Sequence, residues 1–296
     1  MSVRVGCIGL GIMGRPMALN LLKAGYPVAV YARRPEATVP LTAAGATACG
    51  SPRELAERAE FVFTNVSDTT DVEEVVLGPD GVIHGARFGS VVIDNSTIAP
   101  SATRRIAAAL REKGVDLLDA PVSGGQQGAI DGTLSVMVGG TAAAFERALP
   151  LLRSIGRNIV HVGDSGAGQV AKACNQVVIA QTVAGIAEAL LLATAAGVDP
   201  AKVREALLGG FAQSRALEVH GQRMLERNYA PGFMARLHQK DMGIVLETAR
   251  ELGLPMPGTA LVTQYLHALV AQGDGELDSS ALATILERMA GVEIGA

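Results

Sequence analysis

The stretch IGLGIMG (8–14) sets Gly9, Gly11 and Gly14 at G-x-G-x-x-G spacing. VRVGCIG (3–9) before it reads as a buried β-strand. RPMALNLLKAG (15–25) after it reads as a helix with Gly25 suited to the C-terminal cap, and PVAVYA (27–32) reads as a second strand. A glycine turn between strand and helix, inside a βαβ unit of about 30 residues, is the dinucleotide-binding arrangement of a doubly wound sheet. Gly9 permits the tight turn, Gly11 lets the backbone approach a pyrophosphate, and Gly14 lets the helix pack close to the strand. The turn as a whole, with Leu10, Ile12 and Met13 between the glycines, lies where the helix N-terminus faces the phosphates. The spacing alone is weak in a chain with 35 glycines; the flanking elements separate it from an ordinary glycine turn.

The same rhythm continues. SPRELAERA (51–59) predicts a helix with Ser51 as N-cap, Pro52 at the first helical position and Glu54 at the capping-box position. FVFTNV (61–66), SVVIDNST (90–97), VDLLDAPVSGG (115–125) and LSVMVGG (134–140) predict strands, and PSATRRIAAALREKG (100–114) a helix stopped by Gly114. Strand and helix in alternation imply a parallel sheet covered by helices. Past residue 163 the strand patterns stop, and helical segments follow at 167–196, 200–208, 213–227, 238–252, 257–272 and 278–290. The expected fold is therefore α/β, with a Rossmann-type dinucleotide-binding domain over 1–163 and an all-helical domain over 164–296.

Composition narrows the function classes. With 49% hydrophobic and 18% charged residues, the 296-residue chain can bury two cores. A net charge of −4 without a long basic run argues against nucleic acid, as does an aromatic content of 3% without Trp. Three widely spaced cysteines and no paired histidines predict a reducing cytoplasm and no metal. The first residues read as a strand and a turn rather than a secretory signal. The longest apolar stretch is interrupted by Lys172, Asn175, Gln176, Gln181, Thr182 and Glu188, so a core helix is favoured over a membrane span.

A bound nicotinamide implies hydride transfer, and a carbonyl that accepts hydride needs a proton donor at its oxygen. No tyrosine stands in a Tyr-x-x-x-Lys pair, which removes that class of reductase. Lys172 is the alternative. It is the one lysine or arginine between Arg157 and Lys202, in GAGQVAKACNQ (166–176), with Gly168 four residues before it and Asn175 three after. Positions i and i+3 share a helix face. A lysine in an apolar cleft stabilises developing negative charge and donates a proton; an isolated lysine with its stem on apolar surface is the competing reading. Ser123, Gly124 and Gly125 supply a hydroxyl and two unobstructed N–H groups, which form either a carboxylate nest or an ordinary strand-to-helix turn. After the second strand, Ala32 occupies the place of the ribose-binding acid, and Arg33 and Arg34 follow. This favours NADP through a 2′-phosphate, with NAD still possible given Glu36, unless both arginines are simply solvated.

GLGIMGRPMALNLLKAG (9–25), DAPVSGGQQGAIDGTLSVMVGG (119–140), GAGQVAKACNQ (166–176) and LHQKD (237–241) after PGF (231–233) together resemble the β-hydroxyacid dehydrogenases over essentially the whole chain. Cys7 and Ser67 are mild departures from that pattern. The resemblance implies that Lys172 is catalytic, that Asn175 orients substrate and that Ser123, Gly124 and Gly125 bind its carboxylate. It implies that Val66, Ser67 and Thr97 line the cofactor, and that Lys240, beside Asp241, reaches cofactor or substrate. It further implies a homodimer or homotetramer built through the helical domain, and a short carboxylate substrate with an aldehyde or alcohol at the β-carbon. Reduction of 2-hydroxy-3-oxopropanoate to glycerate is the expected reaction. A 3-hydroxyisobutyrate or four-carbon semialdehyde enzyme is the nearest alternative, and a non-catalytic nucleotide-binding module the alternative outside enzymes.

Overall fold

A computed structural model describes residues 3–295. The chain divides into two compact units, 1–172 and 173–296. In the first unit, strands β1 (Val5–Ile8), β2 (Val28–Tyr31), β3 (Thr47–Ala48), β4 (Phe61–Thr64), β5 (Val91–Asp94), β6 (Asp116–Asp119), β7 (Val122–Ser123), β8 (Leu134–Gly139) and β9 (Gly156–Gly163) form one sheet among the described residues. Its helices are α1 (Gly14–Lys23), α2 (Val39–Ala43), α3 (Pro52–Arg58), α4 (Thr69–Leu77), α5 (Pro100–Arg111), α6 (Gly125–Asp131) and α7 (Ala142–Leu152). The second unit is helical: the long α8 (Ala167–Ala195), inside which the division falls, then α9 (Pro200–Leu208), α10 (Gln222–Leu225), α11 (Ala235–Glu251), α12 (Pro257–Ala271) and α13 (Ala283–Ala290). A π-helical turn, Leu217–Gly221, leads into α10.

The strand order β3-β2-β1-β4-β5-β6 is parallel throughout. Successive side chains of a strand point to opposite faces, and the core divides accordingly. Val5, Val30, Phe63 and Ile93 pack with Met17 and Leu21 of α1 and with Leu151 of α7. Ile8, Val62 and Val92 pack with Leu55 of α3, Val72 and Val76 of α4, and Ile106 and Leu110 of α5. The sheet is mainly parallel, as expected, with an antiparallel addition at one edge. β8 runs antiparallel to both β6 and β7; the stretch 124–133 that joins β7 to β8 is shorter than the dozen or more residues that a parallel crossover takes. The strand β9, parallel to β8, is an addition to the sequence reading.

Local signals explain the element ends. Ser51 Oγ accepts the Glu54 N–H at 3.1 Å with Pro52 at the first helical position. Glu54 does not close the reciprocal half of a capping box; its carboxylate accepts from the Gly50 N–H at 2.7 Å instead. In the second unit, Ala180, Val183, Ala187 and Leu190 of α8 pack with Met224, Met242, Val262, Leu266 and Leu286. Among the described residues α8 alone is long and apolar enough to cross a membrane, with a mean hydropathy of 1.8. Its buried positions nevertheless include Gln169, Lys172 and Gln176, and its outer stripe includes Gln181 and Glu188. Lipid-facing helices avoid such groups.

Candidate active site

The order of the parallel strands reverses direction at β1, with β2 on one side and β4 on the other. Ligands of open α/β sheets bind beyond the carboxyl ends of the strands at such a point. Gly9, Ala32 to Arg34, Val66, Ser67 and Thr97 all follow the carboxyl ends of β1, β2, β4 and β5. Gly9 has φ +87°, and a Cβ there would lie 2.1 Å from Asn65 O; a Cβ on Gly14 would lie 2.0 Å from Gly9 O. Both positions therefore exclude side chains. A Cβ on Gly11 would meet nothing within 4 Å. Gly11 is thus dispensable for packing within the protein, and its bareness suits close approach of a ligand. The cradle fits a dinucleotide pyrophosphate against α1.

Ala32 has no side-chain group to bind a ribose hydroxyl. Arg33 is exposed and lies 3.1 Å from the Asp71 carboxylate at the start of α4. Arg34 is exposed too, at the start of a short 3₁₀ turn. On the next strands, Val66 N–H donates to Ser96 Oγ at 2.9 Å. The segment around Thr97 is fastened by Gln169: its Oε1 accepts the Ile98 N–H at 3.2 Å and its Nε2 donates to Ser96 O at 2.8 Å. Gln169 is 1% exposed, and Lys172 follows it by three residues on α8.

The start of α8 is seated on Asp119. The carboxylate accepts the N–H groups of Gly166 (2.8 Å) and Gln169 (2.9 Å). Burial raises the Asp119 carboxyl above its ordinary value despite these donors. Gly168 permits this seating, since a Cβ there would lie 2.4 Å from the carbonyl oxygens of Asp119 and Met137. Its neighbour across the sheet, Asp94, is buried, accepts from Thr64 Oγ1 (2.8 Å) and the Ser96 N–H (3.0 Å), and is pushed up to about 6 mainly by burial. Asp119, Asp94 and Gln169 were not singled out by sequence reasoning. An aspartate at a strand end, four residues before the Ser-Gly-Gly run, is the signal that could have pointed to Asp119.

One turn past Gln169, Lys172 is 8% exposed, and its Nζ donates to Val122 O at 2.9 Å. Val122 directly precedes Ser123, Gly124 and Gly125. The structure therefore brings Lys172 to the Ser-Gly-Gly segment. Gly124 and Gly125 have φ of +136° and +63°, and a Cβ on Gly125 would meet nothing within 4 Å. Successive N–H groups in such conformations form anion-binding concavities. An ammonium beside a hydroxyl and bare backbone N–H groups can hold a carboxylate and protonate a neighbouring oxygen.

In the helical unit Asn175, Gln176, Lys240 and Asp241 form a second polar group. Asn175 Nδ2 donates to Gln176 Oε1 (2.7 Å), Gln176 Nε2 donates to Asp241 Oδ2 (2.7 Å), and Lys240 Nζ lies 3.0 Å from Asp241 Oδ1. Among the described residues no cluster of three or more His, Cys, Asp or Glu side chains is placed to hold a metal.

Comparison with known proteins completes the picture. Residues 4–163 match the model of the NAD binding domain of 6-phosphogluconate dehydrogenase, and residues 166–286 match that of the NAD-binding domain of NADP-dependent 3-hydroxyisobutyrate dehydrogenase. A 2-hydroxy-3-oxopropionate reductase of Escherichia coli strain K12 is 46% identical over 288 residues, which are 97% of this chain and 98% of the relative. An NAD-dependent L-serine dehydrogenase of Pseudomonas aeruginosa is 40% identical over 291 residues, covering 96% and 98% of the two chains. The solved structure of Mycobacterium tuberculosis 3-hydroxyisobutyrate dehydrogenase with L-serine superposes with a TM-score of 0.89 at 31% identity, covering 97% of this chain and 99% of the other. With matches that span both units, this chain belongs to the β-hydroxyacid dehydrogenase family and is an NAD(P)-dependent oxidoreductase.

Proposed function

We propose that the enzyme reduces 2-hydroxy-3-oxopropanoate to glycerate, with Lys172 as proton donor. The observation that carries this reading is the buried Lys172 ammonium held 2.9 Å from Val122 O, directly before Ser123-Gly124-Gly125. The 46% identity to a reductase named for this substrate supports it. A nicotinamide cofactor supplies the hydride when bound. The chain's residues do the rest. Ser123 Oγ and the N–H groups of Gly124 and Gly125 bind the substrate carboxylate. The Lys172 ammonium faces the aldehyde oxygen, stabilises the charge that develops as C3 is reduced, and passes its proton to that oxygen. The resulting amine regains a proton from water. Asn175, on the same face of α8 as Lys172, orients the substrate, and Lys240 contacts cofactor or substrate.

On the cofactor side, the turn from Gly9 to Gly14 receives the pyrophosphate, Val66 and Ser67 pass beside the cofactor, and Thr97 lies near the nicotinamide ribose. Arg33, Arg34 and the absence of an acid at Ala32 favour NADP, and Glu36 keeps NAD as the alternative. The division of labour is a dinucleotide-binding domain over 1–163 and a substrate and oligomerisation domain over 164–296, in a cytoplasmic homodimer or homotetramer. A second reading, 3-hydroxyisobutyrate as substrate, draws on the match to the enzyme of that name.

Lys172→Ala tests the chemistry. It should lower kcat by about 10²–10⁴, the scale of general acid–base catalysis, while NADPH affinity by fluorescence titration stays within about twofold of wild type. Near-normal turnover would sink the assignment. A panel of tartronate, methylmalonate and succinate semialdehydes tests the substrate, and a kcat/KM for the first far below either of the others would discard it.

A further inference from the structure

The chain Lys240, Asp241, Gln176, Asn175 has a direction. An ammonium only donates, and a carboxylate paired with one only accepts. Asp241 and Gln176 are 3% and 4% exposed, so bulk water does not stand in for either partner. Gln176 must therefore turn its NH₂ to Asp241, which leaves its carbonyl for Asn175. Asn175 must in turn give its NH₂ to Gln176. The two ends of a side-chain amide are nearly alike in shape and are assigned from their partners; here the charged end of the chain assigns both amides. Asn175 Oδ1 is left as the far terminus of the chain, an acceptor.

We infer that Gln176 and Asp241 are positioning residues that make the enzyme select substrates carrying a hydroxyl at C2, by presenting Asn175 Oδ1 to that hydroxyl. This rests on the reading of Asn175 as a substrate contact. In glycerate the 2-hydroxyl satisfies the oxygen. In 3-hydroxyisobutyrate a methyl group of similar size replaces that hydroxyl, and the oxygen loses its partner. The two acids differ only there, so the ratio of their kcat/KM values reads the polarity of Asn175 and cancels changes common to both.

Asp241→Asn tests the direction of the chain. The substitution keeps an acceptor for Lys240 but turns an NH₂ toward Gln176. Gln176 then reverses, Asn175 reverses, and an NH₂ replaces Oδ1 at the far end. Adding Gln176→Glu restores the original sense, because a carboxylate in that place accepts from both neighbours. The assay is oxidation of glycerate and of 3-hydroxyisobutyrate with NADP⁺. The glycerate preference should fall by about tenfold in D241N, the scale of one hydrogen bond, and return to within about threefold of wild type in the double variant. Gln176→Met breaks the link at constant length and should also lower the ratio, which keeps the idea testable if D241N folds poorly. Equal losses for both acids in D241N and Q176M, or no recovery in the double variant, would reduce the chain to a structural role and overturn the inference. Asn175→Ala separates the two layers. An unchanged ratio there removes Asn175 from the substrate and overturns the underlying reading, whereas a changed ratio with D241N and Q176M both neutral overturns the inference alone.

Discussion

Gly168→Ala is a substitution whose cost is worked out from the seating of α8. The added Cβ would stand 2.4 Å from Asp119 O and 2.4 Å from Met137 O, against 3.4 Å for ordinary contact. Both obstacles are backbone carbonyls, at the end of β6 and in β8, so they cannot swing aside as a side-chain tip would. The start of α8 must withdraw by roughly 1 Å, since overpacked cores yield by backbone shifts. That stretches the bonds from Gly166 and Gln169 to Asp119, now 2.8 and 2.9 Å, beyond hydrogen-bonding length. Hydrogen bonds to a charged group contribute about 1.5–3 kcal/mol each, and overpacking costs about 1–3 more, so with two such bonds lost the total should be on the order of 4–9 kcal/mol. Lys172 moves with the helix, and a misplacement of about 1 Å lowers turnover by up to about 10²-fold. The assays are urea unfolding without cofactor and kcat at saturating NADPH. Gly185→Ala is the control on the same helix: a Cβ there meets nothing within 4 Å, and the change should stabilise by about 0.5–1 kcal/mol. If G168A unfolds within about 0.5 kcal/mol of wild type, the account of how α8 is seated is wrong.

Two further outcomes follow from single residues. Burial pushes Asp94 up to about 6 from 3.8. A value raised in the folded state gives a contribution that is full below the unfolded value and lost as pH rises through the folded one. Wild type should therefore lose stability relative to Asp94→Asn between about pH 4 and 6, by at most about 3 kcal/mol; parallel pH profiles of the urea midpoints would count against it. Arg33→Ala should weaken NADPH by about tenfold and NADH by less than about twofold, since only the former offers a phosphate to a guanidinium. Equal losses in fluorescence titrations with the two cofactors would show that Arg33 does not read the 2′-phosphate.

The parts of the fold that sequence made legible are those whose cause is local. The βαβ unit around Gly9, Gly11 and Gly14 is set by side-chain alternation and by positive φ at Gly9. The Ser51 cap lies three residues from its donor. The antiparallel turn at β8 was missed because its trace in the sequence is a short connection, not a periodicity. β9 was missed because its residues alternate with little apolar contrast, with Val160 and Val162 on the exposed side. The site divides the same way. Lys172 could be noticed as a charge in an apolar run, but what fixes it is Val122, 50 residues earlier in the chain. Asp119 reaches Gly166 across 47 residues, and Gln169 reaches Ser96 across 73. Nothing in the spacing of one sequence encodes those distances.

Asn175 shows how far this separation goes. Its type and its offset from Lys172 suggest a polar residue on a shared helix face, and a side-chain amide can face a ligand with either end. In the proposed substrate contact, the end it presents is decided by Gln176 next to it and by Asp241, 65 residues beyond Gln176. The Lys240 ammonium fixes Asp241 as the accepting end of that chain. A residue predicted from sequence thus acquires its chemical sense only through a partner that tertiary packing supplies. A substitution at Asp241 that conserves shape should then alter which acid the enzyme prefers more than it alters the fold.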